Sequence, residues 1–236
     1  MNAFRAGLSF FTTLKAGGDF DSLRKNLFVM PAVGALTGIM ISIPAIFALK
    51  LSAGFLIILA YIAVEGINHI DGLSDFFDAV FAPPSRKIDA MKDLNTGSGG
   101  LVAVSSYLIL LAFSFSMMNT QDAIFGIILA QILAKQGMLH LMLKFDPLWQ
   151  GILSEFTKYK CRRDFASYFF TVGVAVLTGV VYPFKAIASM LTYLVLFFIF
   201  SEYVKRRFGG INGDMVGALN CVVFAGVVGV WACLPL

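Results

Sequence analysis

The chain has 236 residues, of which 58% are hydrophobic and only 14% charged, with a mean hydropathy of +0.83 and a formal net charge of +4. Soluble globular proteins carry about 25% charged residues, so the composition excludes an ordinary water-soluble fold and makes the bilayer the natural solvent. The three cysteines have no paired spacing and are interpreted as small apolar residues; together with two histidines they cannot build a zinc site.

Seven apolar runs, each near the roughly 20 residues needed to cross the hydrocarbon core, follow one another along the chain. They cover 27–49, 51–67, 101–118, 123–143, 165–182, 184–200 and 215–236. The first 26 residues lack the features of a cleavable signal peptide, so the first run is expected to direct insertion. No flexible linker or repeat divides the chain. We therefore predict one all-α, polytopic membrane bundle of about seven helices, with residues 1–236 as a single catalytic domain.

The basic residues predict the orientation of this bundle. With the N-terminus inside, fifteen of the eighteen lysines and arginines fall in inside segments, only Lys50 and Lys185 fall outside, and Lys135 lies within a span. This is a strong positive-inside bias. Membrane topology thus explains the basic character, and no nucleic-acid partner is needed. We expect a multi-pass protein of the cell membrane.

The acidic residues concentrate in the inside segment after the second run. Asp71, Asp75 and Asp78 are spaced i, i+4, i+7, which places them on one face of a helix, with Glu65 about 60° to the side. Like charges so close together repel, and the repulsion grows near a low-dielectric membrane. A hard divalent cation such as Mg²⁺ suits clustered carboxylates and phosphate oxygens. A solvated acidic helix end and a proton- or sodium-coupled carrier are the alternatives.

Two glycine-rich turns on the same side favour phosphate chemistry over transport. Backbone amides and hydroxyls of such turns bind phosphate at helix N-termini, whereas carriers keep their polar groups near the membrane midplane. The turns contribute Lys92, Asp93, Gly97 and Ser98 before the third run, and Arg206, Arg207, Gly213 and Asp214 before the last. Lys135 is expected either to extend to the interface or to contact a polar substrate.

With these motifs in view, the sequence resembles the cobalamin (5′-phosphate) synthase family, also called adenosylcobinamide-GDP ribazoletransferase. The pattern H-x-D-G-L-x-D-x-x-D stands here at positions 69–78, M-K-D…G at 91–97, and G-G-x-x-G-D-x-x-G-A at 209–218. The resemblance runs from end to end. The sequence departs from the family pattern at Asn95 and Lys135, where the family often has arginine, and lacks an acidic residue after Asn220. These differences affect the expected contacts to the nucleotide, because lysine cannot make the bidentate phosphate contacts of arginine.

The resemblance implies an enzyme that joins adenosylcobinamide-GDP to α-ribazole, or to its 5′-phosphate, and releases GMP. It implies Mg²⁺ held by Asp71, Asp75, Asp78 and Glu65, with Asp93 or Asp214 as a further ligand or base. His69 is expected about 160–180° away from the Asp71 side of the helix, and so to orient substrate rather than bind the ion. Substrate contacts are then expected at His69, Lys92, Gly97, Ser98, Lys135, Arg206, Arg207 and Gly213.

Three other classes of membrane protein are alternatives to this family. The CDP-alcohol phosphotransferases need a D-G-x-x-A-R continuation, but Asp71-Gly72 is followed by Leu-Ser-Asp. Membrane prenyltransferases need two aspartate motifs, and one good copy is present. A transporter of a corrinoid or an ion is the non-enzyme alternative. The sequence leaves open whether the chain forms a homo-oligomer or a complex with enzymes of the pathway.

Overall fold

The computed structural model describes residues 1–48, 54–93 and 95–234. The described residues form α-helices and short 3-10 turns but no β-strand, which confirms the predicted all-α class. The helices are α1 Asn2–Phe11, α2 Phe20–Arg24, α3 Met30–Ser42, α4 Ala45–Ala48, α5 Phe55–Glu65, α6 Asn68–Phe81, α7 Lys87–Ala90, α8 Ser98–Met117, α9 Thr120–Lys144, α10 Ile152–Thr157, α11 Ala166–Val181, α12 Pro183–Arg207 and α13 Gly213–Cys233. The 3-10 turns are Leu27–Val29, Pro84–Arg86 and Arg162–Phe165.

Among the described residues, six helical segments are long and apolar enough to cross a membrane, which makes this a multi-pass membrane protein. They are Leu27–Phe47, Ser98–Met117, Thr120–Lys144, Arg162–Val181, Pro183–Arg207 and Gly213–Cys233. These segments match the predicted first run and the predicted third to seventh runs. The predicted ends at residues 49 and 236, together with Lys50, lie outside the described residues.

The second predicted run, 51–67, differs from a straight span. Its described helix α5 has 11 residues, about 16 Å at 1.5 Å per residue, against a hydrocarbon core of about 30 Å. The chain then bends by 94° into α6. Gly66 makes this bend with φ +76°, a left-handed conformation that glycine adopts without strain. The acidic segment is therefore a helix turned away from the direction of α5, and it lies outside the six spanning segments.

The direction of the helices follows from their contacts. Gly34 of α3 faces Gln131 of α9, and Gly38 faces Ile128, so the two helices are antiparallel. A Cβ at Gly34 would lie 2.5 Å from the carbonyl oxygen of Gln131, a close approach that small residues allow in membrane bundles. Since α3, α8 and α13 all begin at one end, α5 must return the chain to that end. We call it the acidic end, because α6 lies there.

The bundle has an enclosed centre and an apolar periphery. Helices α9 and α13 supply the most buried spanning segments, whereas α8 and α11 are the most exposed. Large apolar side chains such as Phe169, Leu177 and Phe184 point outward, as expected for a surface in contact with lipid tails. At the end opposite α6, Lys185 Nζ lies 2.7 Å from Asp122 Oδ1 in a buried ion pair.

Candidate active site

Helix α6 places the three predicted aspartates where two other helices begin. Asp71 is exposed, whereas Asp75 and Asp78 are half-buried. Gly72 packs against the start of α13, and Ser74 and Asp78 pack against the start of α8. The i, i+4, i+7 spacing thus predicted the helix and its acidic face.

Asp78 is fixed by the first glycine-rich turn. Its Oδ2 accepts a hydrogen bond from the amide of Gly97 at 2.7 Å, and its Oδ1 accepts one from the amide of Gly100 at 2.8 Å. A Cβ at Gly100 would lie 2.2 Å from Ser74 Oγ, so only glycine allows this approach. Two amides of this turn are therefore bound to Asp78 in this structure, and the substrate contacts predicted at Gly97 and Ser98 stay predictions. Ser98, at the start of α8, is exposed.

The second glycine-rich turn brings Asp214 to the same place. A Cβ at Gly72 would lie 2.8 Å from the carbonyl oxygen of Asp214 and 2.9 Å from its Cα, so α6 and α13 touch through their backbones. Asn212 caps α13 by accepting from the amide of Met215, and its Nδ2 donates to Asp214 Oδ2 at 2.5 Å. A side chain at Gly213 would meet open space, with nothing within 4 Å of its Cβ.

The four carboxylates form one electrostatic cluster. Burial, together with the negative charges of Asp214, Asp71 and Asp78, raises the pKa of Asp75 from 3.8 to about 6. In the described part of the chain, none of the four pairs with a lysine or an arginine. The sequence predicted Asp214 as a site residue, and the structure brings it to the aspartates of α6.

The carboxylates do not form a closed metal site in this conformation. Across residues 1–48, 54–93 and 95–234, no group of three or more His, Cys, Asp or Glu side chains is arranged to hold an ion. The metal role of Asp71, Asp75 and Asp78 therefore stays a prediction. Their chemistry fits Mg²⁺, which takes one or two carboxylates and completes its shell with water and phosphate oxygens.

Glu65 lies in a different environment from the aspartates. It is 2% exposed, and its Oε2 lies 2.5 Å from Lys135 Nζ and 3.1 Å from His69 Nδ1. Lys135 also donates to Asn220 Oδ1 at 3.0 Å. This buried pair does not support the metal role predicted for Glu65. Lys135 has no exposed surface, so it does not extend to the interface, which corrects that expectation, and its substrate contact stays a prediction.

The remaining predicted cations lie on exposed surfaces. Lys92 Nζ lies 4.7 Å from the centre of the Trp149 ring, a cation–π contact. Arg206 is directed at Glu202 on its own helix, with Nε 3.5 Å from Oε2, and Arg207 is exposed at the end of α12. Asp93 accepts from the backbone and side-chain nitrogens of Asn95 at 3.0 and 2.9 Å. Their substrate and catalytic roles stay predictions.

Two cavities border Asp214. One of about 350 Å³ has a polar edge made by Asn68, His69 and Asp214. The other, of about 210 Å³, lies between Asp214 and Trp149. The loop that carries Trp149 is joined to the second glycine-rich turn by hydrogen bonds from Leu148 to Ile211 and from Ile211 back to Asp146. Asn68 shares helix α6 with the aspartates, whereas Trp149 and Asn220 were not predicted, because only the tertiary fold brings them to the site.

Fold and site together define a multi-pass membrane protein with an acidic site assembled from the starts of α8 and α13 and the face of α6. A family model described as cobalamin-5-phosphate synthase matches residues 3–232. The chain therefore belongs to the cobalamin-5-phosphate synthase family, as the sequence motifs indicated.

Curated relatives that share one enzyme name match almost the whole chain. Two proteins of Archaeoglobus fulgidus named adenosylcobinamide-GDP ribazoletransferase are 42% and 38% identical over 226 and 225 residues, covering 96% and 95% of this chain and 95% and 94% of their own. One of Pyrococcus abyssi with that name is 34% identical over 229 residues, or 94% of each chain. No solved structure matches the chain.

Proposed function

We propose that this chain joins adenosylcobinamide-GDP to α-ribazole, or to its 5′-phosphate, and releases GMP. The full-length match to relatives named for this transfer supports the reaction. The structural observation that supports this reaction is a cluster of four carboxylates with no lysine or arginine partner among the described residues. They are Asp71, Asp75, Asp78 and Asp214. A bound cation would relieve the repulsion within this cluster, and phosphoryl transfer from a pyrophosphate uses one.

The reaction replaces the phosphoanhydride bond to GMP with a phosphate ester bond to the ribose. The oxygen of a ribose hydroxyl forms a bond to the phosphorus next to cobinamide, the bond from that phosphorus to the GMP oxygen breaks, and the hydroxyl proton passes to a base. We propose that Asp71, Asp75 and Asp78 hold Mg²⁺. When bound, the ion neutralises charge on the pyrophosphate. Glu65 is not included, because it pairs with Lys135.

Asp214 is the better placed of the two acids that the sequence left open. It lies within electrostatic reach of Asp71 and Asp75, and it borders the cavity of about 350 Å³. Asp93 is engaged with Asn95 in the turn after α7. We therefore propose that Asp214 accepts the hydroxyl proton or orients the hydroxyl, while Lys92, Arg206 and Arg207 attract the phosphates of the substrate.

We also propose that the acidic end faces the cytoplasm of the cell membrane. Fifteen of the eighteen basic residues fall in segments that this orientation places inside. That count assumes that successive segments between the helices lie on alternate sides of the membrane. The described helices support this assumption, since α5 returns the chain to the acidic end.

The test is GMP release by the purified protein in lipid nanodiscs with both substrates and Mg²⁺. We expect release that a chelator stops and added Mg²⁺ restores. Asp75→Asn should lose turnover by about 100-fold or more, the scale for removing a preorganised electrostatic group, while keeping its melting temperature, because it also removes like-charge repulsion. Full Mg²⁺-dependent turnover in Asp75→Asn would remove that residue from the site. No GMP release in several lipids would favour a carrier.

A further inference from the structure

The cavity of about 350 Å³ beside Asp214 has two chemically different walls. Asn68, His69 and Asp214 make the polar edge, next to the aspartates of α6. Most of the other lining residues are apolar and come from α1, α9 and α10, including Phe11 and Phe156. A molecule with an apolar part and a polar, reacting part would match this division.

The apolar wall is a packed aromatic cluster. The Phe10 ring lies 5.0 Å from Phe11 and 5.0 Å from Phe156, both edge to face, and Phe11 and Phe156 stack at 6.1 Å. Phe156 is 2% exposed and Phe11 is 7% exposed. Rings held by several neighbours keep their orientation, so this wall presents a fixed apolar shape.

Helix α10, which carries Phe156, is held in place by contacts with residues that do not line the cavity. Glu155 Oε2 lies 2.5 Å from Arg24 Nη1, and the neighbouring Phe20 ring packs 5.2 Å from Phe156. Phe20 belongs to the same aromatic cluster but does not line the cavity. It therefore offers a matched control for the loss of a ring.

We propose that this cavity holds the benzimidazole base of α-ribazole, with the ribose directed toward Asp214. The inference rests on the proposed function and names the subsite of one of its two substrates. A benzimidazole is flat, bicyclic and apolar, which suits a small site lined by phenylalanines. Guanine would leave its several polar edge groups without partners on this wall. A corrin ring with its amide side chains is far larger than the cavity.

The placement also gives the reaction its geometry. With the base against Phe11 and Phe156, the ribose lies at the polar edge of the cavity. There Asp214 both lines the cavity and belongs to the carboxylate cluster. The nucleophilic hydroxyl thus meets the phosphorus where the pyrophosphate binds, and its approach is fixed by the apolar part of the molecule.

Free dimethylbenzimidazole tests the subsite without changing the protein. Steady-state GMP release by the full-length protein is measured at several concentrations of each substrate. We expect the free base to raise the KM for α-ribazole without changing kcat, and not to compete with adenosylcobinamide-GDP. Competition with adenosylcobinamide-GDP instead, or no inhibition up to the solubility limit of the base, would overturn the assignment.

Variants of the cluster test the residues. Losing the Phe156 ring in Phe156→Ala should raise the KM for α-ribazole roughly two- to twelve-fold, as for the loss of one aromatic contact. The KM for adenosylcobinamide-GDP should stay within about twofold. Phe156→Leu keeps apolar volume if the alanine variant does not fold, and should show a smaller shift in the same direction. Phe20→Ala should leave both KM values near those of the wild type.

Two results would contradict the assignment: equal rises in both KM values, or a Phe20→Ala effect as large as that of Phe156→Ala. If the wild type releases no GMP, the proposed function fails, and calorimetric titration of α-ribazole then tests the cavity alone. Binding by the wild type that Phe156→Ala weakens would support the subsite. Equal binding by the two proteins, or none, would overturn it.

Discussion

The ion pair between Lys135 and Glu65 predicts a large loss of stability when one partner is removed. Both side chains are 0% exposed, Nζ lies 2.5 Å from Oε2, and Asn220 supplies a further contact to the lysine. Lys135→Met keeps most of the side-chain volume but leaves the buried Glu65 carboxylate without its lysine partner. Breaking a buried pair in this way costs about 3–5 kcal/mol.

The cost can be measured as a shift in melting temperature. For a chain of this size, about 1 kcal/mol corresponds to roughly 2–4 °C, so Lys135→Met should melt about 6–20 °C below the wild type. The assay is thermal unfolding in one detergent, followed by circular dichroism. Adding Glu65→Gln to Lys135→Met removes the unpaired charge and should recover most of the loss.

An exposed ion pair provides the control. Lys158 pairs with Glu155, and their side chains are 53% and 34% exposed. Lys158→Met should cost no more than about 1 kcal/mol, the usual range for surface pairs. If Lys135→Met melts as close to the wild type as Lys158→Met does, the predicted cost of breaking the buried pair is wrong. It is also refuted if the double variant is as unstable as the two single losses combined.

Two further predictions concern the packing of α8 and the orientation of the bundle. Gly100→Ala places a Cβ 2.2 Å from Ser74 Oγ and should destabilise the protein by about 1–3 kcal/mol and reduce turnover. Gly173→Ala is the control, because its Cβ would have nothing within 4 Å and should not destabilise the protein. Equal melting temperatures of the two variants would contradict this prediction. Cys161 and Cys233 are both exposed, near opposite ends of the bundle. A membrane-impermeant maleimide added to intact cells should therefore label Cys233 and spare Cys161; the reverse pattern would invert the proposed orientation.

The features that the sequence predicted are those carried by local spacing. The period of the aspartates placed Asp71, Asp75 and Asp78 on one helix face, and apolar run length predicted six of the spans. Position near helix starts predicted that Asp214 would join the site. Each of these inferences needs only neighbours within a few turns of the chain, together with the rule that helices alternate across a bilayer.

The features that were missed depend on contacts between distant segments. Glu65 was expected beside a metal ion, but Lys135, 70 residues away, faces it from α9. The bend at Gly66 was not predicted, because an apolar run does not show where a helix turns. Likewise, the stacking of Phe11 on Phe156 was not predicted, because α1 and α10 come together only in the fold.

The close approach of α6 and α13 also determines what holds the acids at their spacing. Asp71-Gly72 meets Gly213-Asp214, two short segments of opposite order that come from distant parts of the chain. Because Gly72 rests on the main chain of Asp214, the separation between the two helices is set by backbone atoms rather than by the rotamers of long side chains. A main-chain spacing of this kind does not change when neighbouring side chains change rotamer.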